Sequence, residues 1–164
     1  MMDFDNVCSQ PININVFKET MKNKDKWDAI SFNKSDYYDI WALSYDPFYM
    51  SCFHWEKINV NKIKKHFMNI INNMSKDSLC PCLSAFNGFA IYKSNIFLQS
   101  KYDFNFNENK KFLTNEMIEK NIQAMDSKLK ENHWNGMDCE HRFFHFYAKY
   151  KLNAKIFISP KILF

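Results

Sequence analysis

The spacing of apolar residues changes repeatedly along this chain, and that alternation restricts the accessible folds more than any other feature of the sequence. Between residues 13 and 24 the apolar residues recur at helical intervals, and residues 27–32 then have the composition of a short strand ending at a polar turn. Helical spacing returns between residues 56 and 76, with one apolar face: Ile63, Phe67, Ile70, Ile71 and Met74. Helices that alternate with strands predict an α/β fold.

The second half of the chain continues this alternation. Residues 83–92 predict a buried strand that is interrupted at Asn87–Gly88, a pair that favours positive φ angles and a bend near a ligand. Helical spacing recurs at Met117, Ile118, Ile122, Met125 and Leu129. A shorter helix is predicted from Cys139 to Tyr150, and a strand over residues 155–159 is predicted to end at Pro160.

Composition excludes several classes of protein. Hydrophobic residues make up 46% of the chain and aromatic residues 18%, which is too much apolar surface for a disordered polypeptide. The net charge of +4 forms no basic stripe, so a nucleic-acid partner is not expected. Because apolar stretches stay well short of the ~20 residues of a membrane span, and no signal peptide is visible, we expect a soluble, cytoplasmic protein with reduced cysteines. Without repeats or linkers, residues 1–164 are expected to form a single domain.

Asp3 and Asp5 form a D-x-D element near the N-terminus, after Met1 and Met2, which have the character of a strand end. Carboxylates separated by one residue can bind one divalent cation together, and Mg²⁺ or Mn²⁺ commonly bridges such oxygens to a substrate diphosphate. The alternative is a pair of solvated acids at a frayed terminus, because so short a motif also occurs by chance.

A second group of polar residues lies in the predicted helix near residue 140. Glu140, His141 and His145 fall within about two helical turns, and the histidines share a face. A carboxylate here can act as general base on a sugar hydroxyl, and a neutral imidazole can bind phosphate or complete a metal shell. One alternative is an aromatic helix with polar tips. Another is tetrahedral zinc, with ligands chosen from Cys80, Cys82, Cys139, His141 and His145.

Residues 37–43 concentrate aromatic side chains around Asp39. Such a composition suits stacking on a sugar ring while the carboxylate accepts hydrogen bonds from its hydroxyls. Aromatic packing in the core is the alternative interpretation of the same residues. The acid at the centre of the segment favours the binding interpretation.

These segments, in this order, resemble glycosyltransferases of the fungal capsule α-1,3-mannosyltransferase kind and similar proteins encoded by large DNA viruses. The D-x-D element of that family is matched by Met2–Asp5, and its F/Y-Y-D-x-W-A segment by residues 37–42. Its strand with an aromatic-Asn-Gly end is matched by residues 84–88. Its acidic helix and final strand closing in proline are matched by Cys139–Glu140 and residues 156–160.

The resemblance implies a GT-A fold, in which a mixed sheet is flanked by helices, and hexosyl transfer from a nucleotide-sugar donor to a sugar or protein hydroxyl. It implies a Mn²⁺ or Mg²⁺ ion held by Asp3 and Asp5, with His141 as a candidate further ligand. Glu140 or Asp138 would be the acid that faces the acceptor. The residues around the donor sugar would be Tyr38, Asp39, Trp41, Asn87 and Gly88.

The chain departs from that family in two respects. The strands that hold the nucleotide base normally precede the D-x-D element, whereas this sequence begins at it, and no histidine follows His145. We therefore expect the catalytic and acceptor half of a GT-A enzyme, produced from an internal or misassigned start, with a partner chain or upstream segment supplying the nucleotide-binding half. The alternative is a non-catalytic remnant that binds such a partner.

Overall fold

The computed structural model describes residues 1–2, 8–130 and 133–164. In chain order its elements are α1 (Ile14–Lys22), β1 (Ala29–Asn33), α2 (Val60–Asn73), β2 (Cys80–Pro81), β3 (Ala90–Tyr92), α3 (Ser94–Gln99), α4 (Phe106–Lys110), α5 (Asn115–Met125), α6 (Glu140–Lys151) and β4 (Ile156–Ile162), with 3₁₀ turns at Lys24–Lys26 and His133–Gly136. The α/β prediction is confirmed. Among the described residues, no helix has the length and apolarity needed to span a membrane.

The strands form one mixed sheet in the order β2-β4-β1-β3. The two central strands, β1 and β4, are parallel, whereas both outer strands run antiparallel to their neighbours. β1 is buried along its whole length, as expected for a central strand. Because β1 and β4 are parallel, their carboxyl ends lie at the same edge of the sheet. We call this the carboxyl edge.

The predicted helices are present, and the predicted apolar face of α2 is the face that it buries. In α2, the side chain of Asn59 accepts a hydrogen bond from the backbone N–H of Lys62 at 3.0 Å, which caps the helix. Phe67 and Ile71 of this helix are fully buried in the largest hydrophobic cluster. Leu129 lies outside α5, contrary to expectation, because Asp126 adopts a left-handed conformation that ends the helix.

The final strand is longer than the sequence predicts. β4 runs through Pro160 to Ile162 instead of ending at the proline. A register shift accommodates this, since Phe32 pairs with Ser159 but Asn33 pairs with Ile162. Proline has no N–H to donate, so a bulge at this point lets the strand continue without losing the next ladder hydrogen bond.

The predicted strand over residues 83–92 was too long. Regular strand geometry is confined to β3, and residues 83–84 instead pair with Ser44, whose N–H donates to the carbonyl of Ser84 at 2.8 Å. Asn87 and Gly88 separate the two segments, with φ angles of 56° and 82°. Consecutive left-handed residues turn the chain sharply, which no continuous strand tolerates.

Candidate functional site

The side chain of Asn87 organises the carboxyl edge of the sheet. Its Nδ2 donates to the carbonyl of Phe32 at 2.8 Å, near the end of β1. Its Oδ1 accepts hydrogen bonds from the backbone N–H groups of Tyr38 (2.9 Å) and Asp39 (3.2 Å). Asn87 is only 1% exposed, so these contacts are made away from solvent. Loops at the carboxyl ends of parallel strands are where α/β proteins usually bind ligands.

The Asn87–Gly88 pair therefore has a structural role in holding the loop that follows β1. Asn87 uses its acceptor for two backbone groups and its donor for a third, and asparagine tolerates the left-handed conformation better than most residues. Gly88 is buried beside it. The predicted bend is confirmed.

The aromatic segment over residues 37–43 divides between core and surface. Tyr37 is fully buried, and its ring contacts that of Phe67 edge to face at 4.6 Å. Tyr38 is 50% exposed. The Oδ1 atom of Asp39 accepts a hydrogen bond from the N–H of Ala42 at 2.9 Å, which closes the loop. Trp41 is partly buried. Only part of this segment therefore presents a surface to a ligand.

The first turn of α6 packs against Phe86, the residue before the Asn87–Gly88 turn. The imidazole of His141 stacks on the ring of Phe86, with centroids 4.1 Å apart. Its Nε2 lies 3.9 Å from Oε1 of Glu140, and its Nδ1 is buried without a hydrogen-bond partner among the described residues. The side chain of Glu140 is 54% exposed. Glu140 and His141 are therefore brought to the same edge of the sheet as Asn87.

Asp138 lies within the protein, in a polar network. Its carboxylate accepts hydrogen bonds from Nε of Arg142 (3.2 Å), Nδ2 of Asn109 (2.9 Å) and the backbone N–H of Cys139 (2.7 Å). Arg142 in turn donates to the carbonyls of Leu43 and Tyr49. Burial acts to raise the pKa of Asp138, but the charge of Arg142 and the hydrogen bonds outweigh it and hold the pKa below its usual value.

His145 is also part of the core. Its Nδ1 lies 2.9 Å from the hydroxyl of Ser84 and its Nε2 lies 2.9 Å from the hydroxyl of Tyr92. Burial lowers the pKa of His145 to about 3, so the ring is neutral and donates to one hydroxyl while accepting from the other. Only His141 of the two predicted histidines therefore lies beside the carboxyl edge.

The predicted metal ligands are Asp3, Asp5 and His141. Asp3 and Asp5 lie outside the described residues. Among the residues that are described, no group of three or more His, Cys, Asp and Glu side chains is arranged to hold a metal ion. The cysteines and histidines that were considered as zinc ligands are therefore not grouped around a common point among the described residues. The described residue before Asp3, Met2, pairs with Phe89 beside the Asn87–Gly88 turn.

One segment near the site was missed by the sequence interpretation. The backbone carbonyl of Phe104 accepts a hydrogen bond from the N–H of Asp138 at 2.6 Å, and the ring of Tyr102 lies 6.2 Å from that of His141. Both residues therefore border the first turn of α6. The alternation of aromatic and polar residues from Tyr102 to Phe106 was the available signal.

The site thus consists of the loop after β1, the Asn87–Gly88 turn and the first turn of α6. Comparison of the chain with known proteins found no matching protein family, no matching curated protein and no matching solved structure.

Proposed function

We propose that this chain is a divalent-metal-dependent glycosyltransferase with a partial GT-A fold. It transfers a hexose from a nucleotide-sugar donor to a sugar or protein hydroxyl. The observation that carries the proposal is the Asn87 side chain, which joins the end of β1 to Tyr38 and Asp39. The motif segments that are far apart in sequence thereby meet at one edge of the sheet, beside Glu140.

Glu140 has the acceptor-facing role in this proposal. Its side chain is 54% exposed at the start of α6, where a carboxylate can accept a proton from a sugar hydroxyl or orient it. Asp138 is 3% exposed and its carboxylate is already held by Arg142, Asn109 and a backbone N–H. We therefore assign Asp138 to supporting the loop on which Glu140 is presented.

The donor sugar lies, in this proposal, against the loop after β1. Tyr38 offers a half-exposed ring, and Asp39 and Trp41 shape the surface behind it. Asn87 and Gly88 hold this loop in place, since the hydrogen bonds of Asn87 are directed to backbone groups. A preorganised loop of this kind reduces the cost of ordering the site when the sugar binds.

Asp3 and Asp5 would hold the metal, and His141 is the described residue that can extend this ligand set. A bound Mn²⁺ or Mg²⁺ supplies positive charge that neutralises the departing diphosphate. Nδ1 of His141 is buried and has no hydrogen-bond partner among the described residues, which suits a metal ligand. Met2, the residue before Asp3, pairs with Phe89. The exposed Glu140 lies beside the same imidazole.

Calorimetric titration with UDP and GDP, with and without Mn²⁺, tests the donor site. We expect binding that requires the metal and is lost in Asp5→Asn. The matched control is Asp25→Asn, which changes an exposed acid outside the site and should leave binding unchanged. Metal-dependent binding that survives Asp5→Asn contradicts the metal assignment, and the absence of nucleotide binding in the wild type contradicts a functional donor site in this chain.

The role of Glu140 is tested by nucleoside diphosphate release in the presence of acceptor. Glu140→Gln should lower kcat by roughly 100-fold or more, as loss of a general base usually does. Glu116 also lies in the first turn of a helix, α5, and is exposed, so Glu116→Gln is the matched control. Equal activities of the two variants would remove Glu140 from the mechanism.

A second candidate function is that of a non-catalytic subunit that binds a partner chain. The observation in its favour is an open groove of about 400 Å³ on the outer side of β3, lined by Met1, Phe17, Phe89, Ile91, Tyr92 and Phe97. Sedimentation velocity and urea unfolding over a range of protein concentrations distinguish this candidate. A free energy of unfolding that rises with protein concentration, together with association in sedimentation, supports it, because partner binding stabilises the folded state by mass action.

A further inference from the structure

Two aromatic side chains in the segment that borders the first turn of α6 are exposed although their backbone is hydrogen-bonded to the residues before this helix. The N–H of Asp138 donates to the carbonyl of Phe104, and Oδ1 of Asp103 accepts a hydrogen bond from the N–H of Asn105 at 2.8 Å. Asn105 also pairs with Met137 in a short antiparallel bridge. These bonds fix the segment along the residues that lead into α6.

The exposure of the two rings is large for aromatic residues in so ordered a segment. Tyr102 is 47% exposed and Phe104 is 62% exposed, whereas Phe106, two residues further on, is 2% exposed and packs against His54. The ring of Tyr102 rests on Phe144, with centroids 4.7 Å apart. The segment thus places one aromatic side chain in the core and holds two at the surface.

The exposed rings lie in a segment that also carries acidic side chains. Burial raises the pKa of Tyr102, and the negative charge of Glu140 raises it further, so the phenol stays neutral within electrostatic reach of that carboxylate. Asp103, which separates the two aromatic residues in sequence, adds a second carboxyl group to the segment. We call Tyr102, Phe104 and Glu140 the aromatic ledge.

We propose that the aromatic ledge binds a hexopyranose ring of a neutral glycan and is the acceptor subsite, a role in transfer that rests on the proposed glycosyltransferase function. A pyranose has one face of C–H groups that packs on an aromatic ring and a rim of hydroxyls that donate to carboxylates. The exposed rings of Tyr102 and Phe104 match the C–H face of such a ligand, and the exposed carboxylate of Glu140 matches its hydroxyls.

The same chemistry argues against other ligands. Carboxylates at Asp103 and Glu140 disfavour a phosphate-bearing polymer, because like charges repel at short range. A protein partner that covered the ledge would have to bury the exposed Glu140 carboxylate, which costs free energy unless a cation pairs with it. A glycan instead donates hydrogen bonds from some of its hydroxyls to that carboxylate and leaves its other hydroxyls in water.

The test is an NMR titration of the ¹⁵N-labelled chain with mannotriose and cellotriose, without nucleotide or metal. We expect the amide signals of Tyr102, Phe104 and Glu140 to shift. Tyr102→Ala and Phe104→Ala should weaken binding roughly tenfold, since each removes one stacking surface. Tyr150→Ala is the matched control, because Tyr150 is 41% exposed at the other end of α6.

Two conservative variants separate stacking from folding. Tyr102→Phe keeps the ring and should retain most of the binding, whereas Phe104→Leu keeps apolar volume and should lose it. Far-UV circular dichroism checks that each variant is folded. Binding that is unaffected by the ledge variants, or equally weakened by Tyr150→Ala, overturns the inference.

The outcome is independent of the donor site, because neither nucleotide nor metal is present in this titration. Failure of both oligosaccharides to shift the ledge signals overturns the inference and leaves the calorimetric test of the donor site unaffected. Self-association of the chain that is lost in Phe104→Ala also overturns it, because the ledge would then be a contact between copies of the chain.

Discussion

At the scale of single residues, two buried titratable side chains in or just before α6 are held in different protonation states, Asp138 as the charged carboxylate and His145 as the neutral imidazole. Asp138 accepts three hydrogen bonds and faces the Arg142 guanidinium, which favours the carboxylate. His145 lies between two neutral hydroxyls in an apolar setting, which favours the uncharged imidazole. Residue type and sequence neighbours do not distinguish these environments, because Asn109 beside Asp138, and Ser84 and Tyr92 beside His145, come from distant parts of the chain.

Asp138→Asn should lower the free energy of unfolding by about 3–5 kcal/mol, because Arg142 would remain as a buried and unpaired charge. Urea unfolding at neutral pH measures the effect. Asp25→Asn, an exposed change, should stay within about 0.5 kcal/mol of the wild type. A loss in Asp138→Asn no larger than in this control would contradict the importance of the ion pair.

The lowered pKa of Asp138 also predicts a pH dependence. Its contribution to stability is present above the unfolded-state pKa of about 3.9 and is lost as the pH falls through the lower pKa of the folded state. The difference in stability between wild type and Asp138→Asn should therefore shrink below about pH 4. A difference that stays constant from pH 7 to pH 2 would argue against this carboxylate as its source.

His145 predicts a separate pH dependence at higher pH. The unfolded side chain binds a proton near pH 6.5, but the folded side chain does so only near pH 3, so between these values the unfolded state holds more protons. Its contribution to stability is full above about pH 6.5 and is lost as the pH falls, by up to about 1.4 kcal/mol per pH unit. His145→Gln should remove this slope between pH 4 and pH 6.5, whereas His66→Gln, at an exposed imidazole, should retain it.

At the scale of elements, the Asn87–Gly88 turn couples β1 to the loop that follows it. Because Oδ1 of Asn87 accepts from the N–H groups of Tyr38 and Asp39, Asn87→Ala should release both amides. We expect their hydrogen exchange to accelerate by at least tenfold while the amides of α2 remain protected, since the loop opens locally.

The control for this experiment is Asn153→Ala. Asn153 has a φ angle of 55°, close to the 56° of Asn87, but it is exposed at the end of α6. Both variants therefore place alanine in a left-handed conformation, and only Asn87→Ala removes contacts with the site. Equal exchange of the Tyr38 and Asp39 amides in the two variants would mean that strain, and not the hydrogen bonds, controls the loop.

At the scale of the whole molecule, thiol reactivity reports how well the core excludes solvent and reagents. Cys52, Cys80, Cys82 and Cys139 are buried, and burial raises the pKa of each thiol, to about 12 for Cys52. Cys8 is partly exposed. The thiolate is the reactive form, so the four buried thiols should react slowly in the folded protein.

Ellman's reagent should therefore modify one thiol rapidly and the other four only as the protein unfolds. Cys8→Ser should abolish the rapid phase and leave the slow phase unchanged. Elemental analysis of the same preparation addresses the zinc alternative. Stoichiometric zinc that protects the thiols, and unfolding on chelation, would support that alternative instead.

The sequence predicted the element types well but several element ends poorly. α2 and β1 followed from local apolar spacing, because the face that spacing creates is the face that is buried. Three ends depended on contacts between distant residues. β4 continues past Pro160 because its extra residues, 160 and 161, bulge between the pairs that it forms with Phe32 and Asn33 of β1. Residues 83–84 pair with Ser44 instead of extending β3, and Leu129 pairs with Trp55 instead of extending α5.

The sequence predicted some of the residues that lie together at the carboxyl edge, such as Asn87 and His141, but not which of the predicted residues are buried and which are exposed. The sequence by itself determined the α/β class and the Asn-Gly bend, since apolar periodicity and left-handed backbone preferences are local properties. Tertiary structure alone decided that Glu140 faces solvent while Asp138, two residues earlier, is buried against Arg142. It also brought Tyr102 and Phe104 to the start of α6. Burial depends on residues that are distant in sequence, and no local pattern records it.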